Sequence, residues 1–364
     1  MTFEIPADWP ADVREKISTL SESIEFNSTS TNGQNGYVAF GRNRITNADV
    51  AVKFYYWGGE SEFHLEPKTL TSLSSASPYI LKVWDAGYAG DEWAYYVTPL
   101  CKGGDLEGLI AAGFCGTKRA IEICSDVLHG LCSLHQRRFI HRDLKPGNVY
   151  LDGKKGVIGD FGSIAALPEG KDTIPASKHS LLYRPPESCA SDEYGFEGDI
   201  YQVGILLYQL LGGRLPYDEN EWLSDAQKSH AASLSCPEDR IYIDDCIKQI
   251  IAKGKLLDMS SLPPVVDERM RRIIRKATNK DPSKRFKSAS DFLAKLSEAK
   301  LKVRDWLPQS KMLLMRDRTS YRVSGDGPFT VEKRRTGGWK TDHSLSELTQ
   351  LNEIIRIIED RPQR

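Results

Sequence analysis

Alternating apolar and polar positions predict a small antiparallel β-sheet in the first third of the chain. The alternation runs from Ser23 to about Tyr56 and is interrupted by the turn dipeptides Asn32-Gly33 and Asn35-Gly36. Residues 77–87 and 92–100 predict two further strands. The stretch before Ser23 is polar, with a short helix predicted from Asp12.

The pattern then changes to helical spacing. Residues 116–138 predict a long helix with one buried face, and 198–218 resemble the buried helix that anchors a lobe in a known family. The region 217–262 is charged and carries helix-like stretches, which predicts an enlarged helical region.

The last 64 residues form a separate pattern. Residues 317–342 alternate around glycine turns and predict a two- or three-stranded meander. An amphipathic helix over 344–360 follows, with Ser344 or Ser346 as its N-cap. Because so small a unit cannot hold a core alone, we expect it to pack on the rest of the chain or on a partner.

These patterns predict an α+β fold in four regions. They are an N-terminal extension (1–22), a small lobe of antiparallel sheet with one helix (23–100), a mostly helical lobe (101–300) and a small α/β appendage (301–364).

Charge and cysteine content narrow the class of protein. Lys and Arg total 49 against 50 Asp and Glu, so the net charge of -1 gives no general attraction to nucleic acid. The local cluster 333–335 with Trp339 leaves nucleic-acid contact as an alternative to a solvated strand face, which we favour.

The cysteines, the N-terminal pattern and the apolar runs indicate the compartment. Seven scattered cysteines without a CxxC pair indicate a reducing compartment, and the N-terminus lacks a signal-peptide pattern. The longest apolar run, 203–211, is too short to span a bilayer. We therefore expect a cytoplasmic protein without a membrane span.

Residues 139–162 concentrate the groups that suit phosphoryl transfer. Asp143 can accept the proton of an attacking hydroxyl, and Lys145 can meet developing negative charge. Asn148 and Asp160 supply oxygen ligands of the kind that Mg²⁺ prefers.

The order HRDLKPGN followed by DFG resembles the catalytic loop and metal-binding turn of eukaryotic-type Ser/Thr protein kinases. The resemblance implies a bilobal kinase fold, transfer of the ATP γ-phosphoryl group to protein hydroxyls, and Mg²⁺ as cofactor with Mn²⁺ as an alternative ion. It also implies that Lys53, in Val-Ala-Val-Lys, holds phosphates and pairs with a helix glutamate. We choose Glu66 for that partner, with Glu62 as the alternative because Pro67 disfavours helical geometry at Glu66.

The nucleotide site is implied by position in the same family pattern. Thr31 replaces the first glycine of the glycine-rich loop, and Thr98 is the small residue at the back of the pocket. The implied ATP-binding residues are Gly33, Gly36, Val38, Ala51, Lys53, Thr98, Leu100, Cys101 and Tyr150.

Residues 163–187 resemble an activation segment, ending in Pro-Pro-Glu. Its candidate hydroxyls are Thr173, Ser177 and Ser180, and Lys145 together with Ser180 implies Ser/Thr specificity. Arg142 offers a guanidinium for a phosphate added to this segment. The family pattern further implies that Asp199 accepts hydrogen bonds from the catalytic-loop backbone and that Arg285 pairs with Glu187.

Two other classes stay open at this point. For a pseudokinase scaffold, the missing first glycine and the uncertain Glu66 argue in favour, whereas the retained set Lys53, Asp143, Asn148 and Asp160 argues against it. A small-molecule phosphotransferase shares the lysine and metal ligands, but the 163–187 segment argues against it. The expected partner is a protein substrate with a Ser or Thr acceptor. The region 217–262 and the 301–364 tail are candidate docking surfaces, and surface elaboration without a role is the alternative for 217–262.

Overall fold

The structure is a computed structural model that describes residues 3–30, 36–58, 65–75, 77–176, 180–309, 312–326 and 328–361, without the side chains of 65–67 and 74. The chain forms two compact units. The first comprises Met1–Gly104 and Asn148–Ile164, and the second comprises Asp105–Gly147 and Ala165–Arg364. The predicted region boundaries at residues 22, 100 and 300 stay a prediction.

Helices and strands are numbered along the chain. The described helices are α1 (Ala11–Leu20), α2 (Leu65–Ser74), α3 (Leu106–Ala111), α4 (Thr117–Gln136), α5 (Pro186–Ala190), α6 (Phe196–Leu210), α7 (Asp225–Ala231), α8 (Glu238–Ala252), α9 (Glu268–Ala277), α10 (Ala289–Lys300), α11 (His343–Ser346) and α12 (Leu351–Asp360). The described strands are β1 (Ile24–Ser30), β2 (Tyr37–Asn43), β3 (Asp49–Tyr56), β4 (Asp85–Ala89), β5 (Trp93–Pro99), β6 (Phe139–Ile140), β7 (Val149–Asp152), β8 (Lys155–Ile158), β9 (Ala165–Ala166), β10 (Ile174–Pro175), β11 (Glu193–Tyr194), β12 (Asp305–Gln309), β13 (Met312–Arg316), β14 (Ser320–Ser324), β15 (Thr330–Arg334) and β16 (Lys340–Thr341).

The first unit is built on an antiparallel sheet in the order β1-β2-β3-β5-β4. One face of this sheet is covered by α1 and the residues before it, since Trp9, Val13 and Ile17 are buried in the same apolar cluster as β1 to β3. Burying a side chain of this size contributes roughly 1.5–3 kcal/mol. The polar N-terminal stretch therefore supplies part of the core.

One predicted strand begins later than expected. The chain from 77 to 84 lies outside the sheet, and β4 starts only at Asp85. The backbone of this segment bonds instead to β8, because Ile158 N–H donates to Tyr79 O at 2.9 Å and Leu81 N–H donates to Ile158 O at 2.8 Å. Its apolar character reflects burial beside the β7–β8 hairpin.

The second unit is organised around α6, which is buried from Gly198 to Leu210 and packs against α4 and α9. Both predicted helices, the amphipathic one and the buried one, are confirmed. The region 217–262 is helical as predicted, with α7 starting in a capping box between Ser224 and Gln227. No helix in the described ranges is long and apolar enough to span a membrane.

The tail differs from its prediction. It holds a five-stranded sheet in the order β12-β13-β14-β15-β16, followed by two helices rather than one. Neither Ser344 nor Ser346 caps the long helix. The Ser346 hydroxyl accepts from Val331 N–H at 2.9 Å, and the Ser344 hydroxyl donates to Asp342 at 2.7 Å. These bonds tie the first helical turn to β15 and separate it from α12.

The tail packs on the helices of the second unit, as expected. Trp306 is fully buried, and its indole N–H donates to Glu359 at 2.6 Å. At Gly116, just before α4, an added Cβ would lie 2.8 Å from Leu307 of β12. The backbone of Lys118, in the first turn of α4, also forms a hydrogen bond with the Asp305 side chain of β12. The tail and the helical core therefore share one packed interior.

Asp342 links three parts of the tail, and we expect its charge to stabilise them. Its carboxylate accepts from Arg361 at 2.8 Å, from Ser344 at 2.7 Å and from Lys333 at 3.1 Å. Burial alone would raise the pKa of Asp342, but these hydrogen bonds lower it to about 2. A depressed carboxyl pKa stabilises the fold above the unfolded pKa, and this stability disappears as the pH falls through the folded value.

The Asp342→Asn variant should therefore lose about 1–2 kcal/mol of unfolding free energy at pH 7, measured by urea denaturation. The difference from wild type should shrink as the pH is lowered from about 4 toward 2. Asp326→Asn, in an exposed turn, is the control and should behave as wild type. A pH-independent difference would contradict the role of the Asp342 charge.

Candidate active site

The β7–β8 hairpin brings the two predicted metal ligands to one end of the same hairpin. Val149 pairs with Ile158, and Gly159 N–H donates to the Asn148 carbonyl at 2.9 Å. Asn148 directly precedes β7, and Asp160 follows β8 by two residues. A hairpin pairing thus aligns residues that are twelve positions apart in the chain.

Lys53 lies beside this hairpin end, within the same unit. It stands on β3 between the buried residues Val52 and Phe54, and its Nζ is 3.2 Å from Asp160 Oδ1. The side chain of Lys53 is 20% exposed and that of Asp160 is 30% exposed. The first unit therefore holds a cation and a carboxylate side by side at a partly open position.

The donor chemistry fits a divalent ion bound together with phosphates. Within the described ranges, no group of three or more His, Cys, Asp and Glu side chains could hold a metal by itself. One carboxylate and one amide is the smaller set that Mg²⁺ uses when phosphate oxygens and water complete its octahedron. Asn148 and Asp160 fit that second case.

The implied nucleotide residues of the first unit lie on paired strands. Val38 is opposite Lys53 on β2 and β3, and Ala51 is opposite Thr98 on β3 and β5. Gly36 is required by close packing, since an added Cβ would lie 1.9 Å from the Phe54 carbonyl oxygen.

The backbone that follows β5 has a defined hydrogen-bonding pattern. Leu100 N–H donates to Asp49 O at 2.9 Å, and Pro99 has no N–H to offer. Burial raises the pKa of the Cys101 thiol to about 11, so it stays protonated at neutral pH. Tyr150 lies on β7, where its ring would be 2.6 Å from a Cβ added at Gly159.

Some predicted residues lie outside the part that the structure describes. These are Thr31, Gly33, Glu62 and Ser177, together with the side chain of Glu66, whose backbone belongs to α2.

The second unit carries the predicted base. Asp143 is buried, and its Oδ2 is 3.2 Å from Lys145 Nζ. The same ammonium group donates to the Ser180 hydroxyl at 2.9 Å. The Lys145 ammonium group thus contacts both the Asp143 carboxylate and a Ser hydroxyl of the predicted activation segment.

Asp199 on α6 anchors the loop that carries Asp143. Its carboxylate accepts the backbone N–H groups of His141 and Arg142, each at 3.0 Å, which confirms the prediction. His135 lies 2.8 Å from it, and the Tyr194 hydroxyl donates to it at 3.1 Å. Burial would raise the pKa of Asp199, but the His135 hydrogen bond and the neighbouring histidines hold it below its ordinary value.

Two buried glutamines of α6, which the sequence prediction missed, make specific hydrogen bonds, and Gln202 completes the anchor of the loop. The Gln202 side chain accepts from Leu144 N–H at 2.8 Å and donates to the carbonyls of Arg142 and Tyr183 at 3.3 and 3.2 Å. Gln209, two turns further along the helix, accepts a hydrogen bond from the Tyr183 hydroxyl at 2.9 Å. The signal was their polarity inside an apolar helix, because a buried amide needs partners.

The predicted activation segment is held at both ends. Arg138 donates to the carbonyls of Leu167, Pro168 and Lys171 at 2.7 to 3.0 Å. At the other end Arg285 binds both oxygens of Glu187 at 2.7 and 2.6 Å, as predicted.

Between these ends, the described hydroxyls differ in setting. Thr173 is exposed next to β10, while Ser180 is bound to Lys145. Arg142 donates to the Pro175 carbonyl at 3.0 Å, two residues beyond Thr173. The guanidinium predicted to receive a phosphate therefore already contacts this segment.

Comparison with known proteins agrees with this geometry. The family model described as the protein kinase domain matches residues 27–295. Three curated relatives are similar to the chain. Serine/threonine-protein kinase PrkC of Bacillus subtilis (strain 168) is 29% identical over 264 residues, which cover 70% of this chain and 37% of PrkC. Serine/threonine-protein kinase pkn2 of Myxococcus xanthus is 29% identical over 226 residues, covering 57% of this chain and 26% of that protein.

A plant relative extends the range of similar proteins. CBL-interacting serine/threonine-protein kinase 2 of Arabidopsis thaliana is 27% identical over 234 residues, covering 62% of this chain and 51% of that protein. The chain thus spans about a quarter to a half of the length of these relatives. The α+β fold class predicted from the sequence is confirmed.

The Gln202→Met variant tests the glutamine anchor directly. It keeps the side-chain volume but leaves the buried Leu144 N–H without its acceptor, at a cost of roughly 1–3 kcal/mol. Because about 1.4 kcal/mol corresponds to a factor of ten, amide exchange in peptides covering 139–148 should become about tenfold faster. Gln209→Met, which removes only the contacts to tyrosine hydroxyls, should leave this exchange unchanged. Equal acceleration in both variants would contradict a specific role for Gln202.

Proposed function

Because the chain belongs to the protein kinase domain family, we propose that it transfers the γ-phosphoryl group of ATP to Ser or Thr hydroxyls of a protein. The observation that carries the proposal is the arrangement around Lys145, whose Nζ is 3.2 Å from Asp143 and 2.9 Å from the Ser180 hydroxyl. Phosphoryl transfer to an alcohol uses a carboxylate that accepts the hydroxyl proton, and a cation beside that carboxylate can offset the negative charge on the transferred group. The named kinases among the similar proteins support the same activity.

In this proposal Asp143 orients the acceptor hydroxyl and takes its proton. The hydroxyl oxygen forms a bond to the γ-phosphorus while the bond from that phosphorus to the β,γ-bridging oxygen breaks, and ADP leaves. Lys145 offsets negative charge on the transferred group. Placement and electrostatics supply most of the catalysis, because the chain forms no covalent intermediate.

The first unit supplies nucleotide binding. Lys53 orients phosphates, and Asn148 and Asp160 hold Mg²⁺ or, as an alternative, Mn²⁺. The ion supplies neutralisation of phosphate charge when it is bound. In the backbone that follows β5, the Leu100 N–H is bonded to Asp49 and Pro99 lacks an N–H. We therefore assign the Cys101 backbone N–H as the donor to adenine.

Regulation through the activation segment is part of the proposal. Thr173 is exposed, and the Arg142 guanidinium donates to the carbonyl of Pro175, which lies two positions after Thr173 in the chain. A phosphate on Thr173 would add a charge-assisted partner for Arg142 and order the segment. Ser177 is a second candidate, outside the described residues.

Substrate docking is best supported at 217–262. The apolar residues Ile354, Ile355 and Ile358 of α12 are buried and so are not available to a partner, whereas α7 and α8 carry exposed charged faces. All seven cysteines are unpaired, which supports a reducing compartment such as the cytoplasm.

Replacement of the proposed base gives the first activity test. Asp143→Asn should lower kcat by about 10²–10⁴-fold, because proton transfer by a positioned base contributes that much. The assay follows transfer of labelled γ-phosphate from ATP to a generic acceptor protein. Asp152→Asn, an exposed carboxylate on β7, should keep the wild-type rate. Near-normal transfer by Asp143→Asn would contradict the assignment of the base. Absence of transfer by the wild type would argue for a scaffold, and turnover of small alcohols only would argue for a small-molecule phosphotransferase.

The regulatory proposal has its own test. Phosphatase treatment should lower kcat of the ATP-treated wild type, with mass spectrometry locating the lost phosphate. In Arg142→Ala the treated and untreated proteins should have the same rate, since the guanidinium that binds the phosphate is gone. If Arg142→Ala still responds to phosphatase, another cation performs this role.

A further inference from the structure

A cavity of about 440 Å³ opens on the second unit, where the end of α8 faces the loop after α9. Its size falls within the range of about 300–1,000 Å³ that is usual for small-molecule sites. None of the residues proposed for catalysis or nucleotide binding lines it. The following inference therefore goes beyond the proposed activity and does not depend on it.

Positive charge dominates the lining. Lys253, Arg275, Lys280 and Lys284 all line the cavity, and the lining contains no Asp or Glu. Arg275 is 2.6 Å from Glu268, and Lys284 is 3.5 Å from Asp281.

The two remaining lysines, Lys253 and Lys280, form no ion pair within the described part of the chain. Four cations around one concave surface repel one another and raise its positive potential, and an anion relieves that repulsion.

The inner surface is of a different kind. Leu256 and Tyr201 are almost fully buried, and both line the cavity together with Met259. Asn279 adds a side-chain NH₂ donor, since its Oδ1 already accepts from Asp281 N–H at 3.0 Å. The cavity thus combines exposed cations with an apolar and aromatic interior.

We propose that this cavity binds an organic phosphate monoester. The dianionic phosphate group pairs with Lys253 and Lys280, and the apolar or aromatic body of the ester packs against the half-buried Leu257 and Met259, beside the buried Leu256 and Tyr201. Several ammonium groups around one phosphate give charge-assisted hydrogen bonds, and the apolar contact favours an ester over the free ion.

Occupancy of the cavity reaches the activation segment through one side chain. The Tyr201 ring lies 4.8 Å from the Arg285 guanidinium, which binds both oxygens of Glu187. A ligand packed beside Tyr201 fixes the ring that supports this ion pair. Binding should therefore slow amide exchange in peptides covering 181–190.

Lysine footprinting of the full chain tests the site residue by residue. The protein is acetylated with and without phenyl phosphate, and each lysine is quantified by mass spectrometry. Lys253 and Lys280 should be protected several-fold, whereas Lys255, which is exposed in the same turn but outside the lining, should react unchanged. Acetylation of Lys53 is scored in the same data, so nucleotide-site binding and its failure are read separately.

Matched variants and ligands make the test decisive. The Lys253→Glu/Lys280→Glu double variant should bind phenyl phosphate about tenfold more weakly by calorimetry, as expected for reversal of two exposed charges, while Lys255→Glu should bind as wild type. All of these positions are exposed, and circular dichroism verifies that the variants are folded.

A phosphotyrosine peptide that protects the same lysines as phenyl phosphate would support the site with a protein-borne source of the ester. The proposal is overturned if Lys255 is protected equally or if the double variant keeps its affinity. It is also overturned if inorganic phosphate or phenol binds as tightly as phenyl phosphate, because the first result removes the organic part and the second removes the anion.

Discussion

The structure of the second unit depends on a buried negative charge, the carboxylate of Asp199. An ion taken out of water costs several kcal/mol unless the protein replaces its hydration, and here four donors do so. Two of these donors are backbone N–H groups of the loop that carries Asp143. Because the Asp199 carboxylate needs these hydrogen bonds, it fixes the path of the loop. Helix α6, which carries Asp199, therefore determines where Asp143 lies within the second unit.

Three residues near the predicted functional groups have backbone angles in the left-handed region. Arg142 and Ser180 have φ angles of 66° and 49°, and Asp160, at the hairpin end in the first unit, has 54°. Side chains other than glycine avoid this region at a cost of roughly 1–3 kcal/mol each. Arg142 is held by Asp199 and Gln202, and Ser180 by Lys145, so neighbouring contacts over-determine both conformations. Within the second unit, the backbone next to the predicted base is therefore fixed by contacts of the protein itself.

Sequence reasoning succeeded where function is written in contiguous residues or in helical spacing. The loop from His141 to Asn148, the DFG turn and the buried helix could all be read directly. It failed where the outcome depends on which distant backbone supplies a hydrogen-bond partner. Tyr79 and Leu81 looked like part of a sheet strand but bond to Ile158, and Ser346 looked like a helix cap but bonds to Val331. Gln202 was missed for a related reason, since its three partners belong to segments 19 to 60 positions away.

The folding unit of this protein is larger than its family signature. The family match begins at residue 27 and ends at 295, but Trp9, Val13 and Ile17 complete one apolar core and Trp306 completes another. A fragment trimmed to the matched range would expose both cores to water. A copy of residues 27–295 placed in another chain would therefore need new apolar side chains to cover the surfaces that these two flanks cover here.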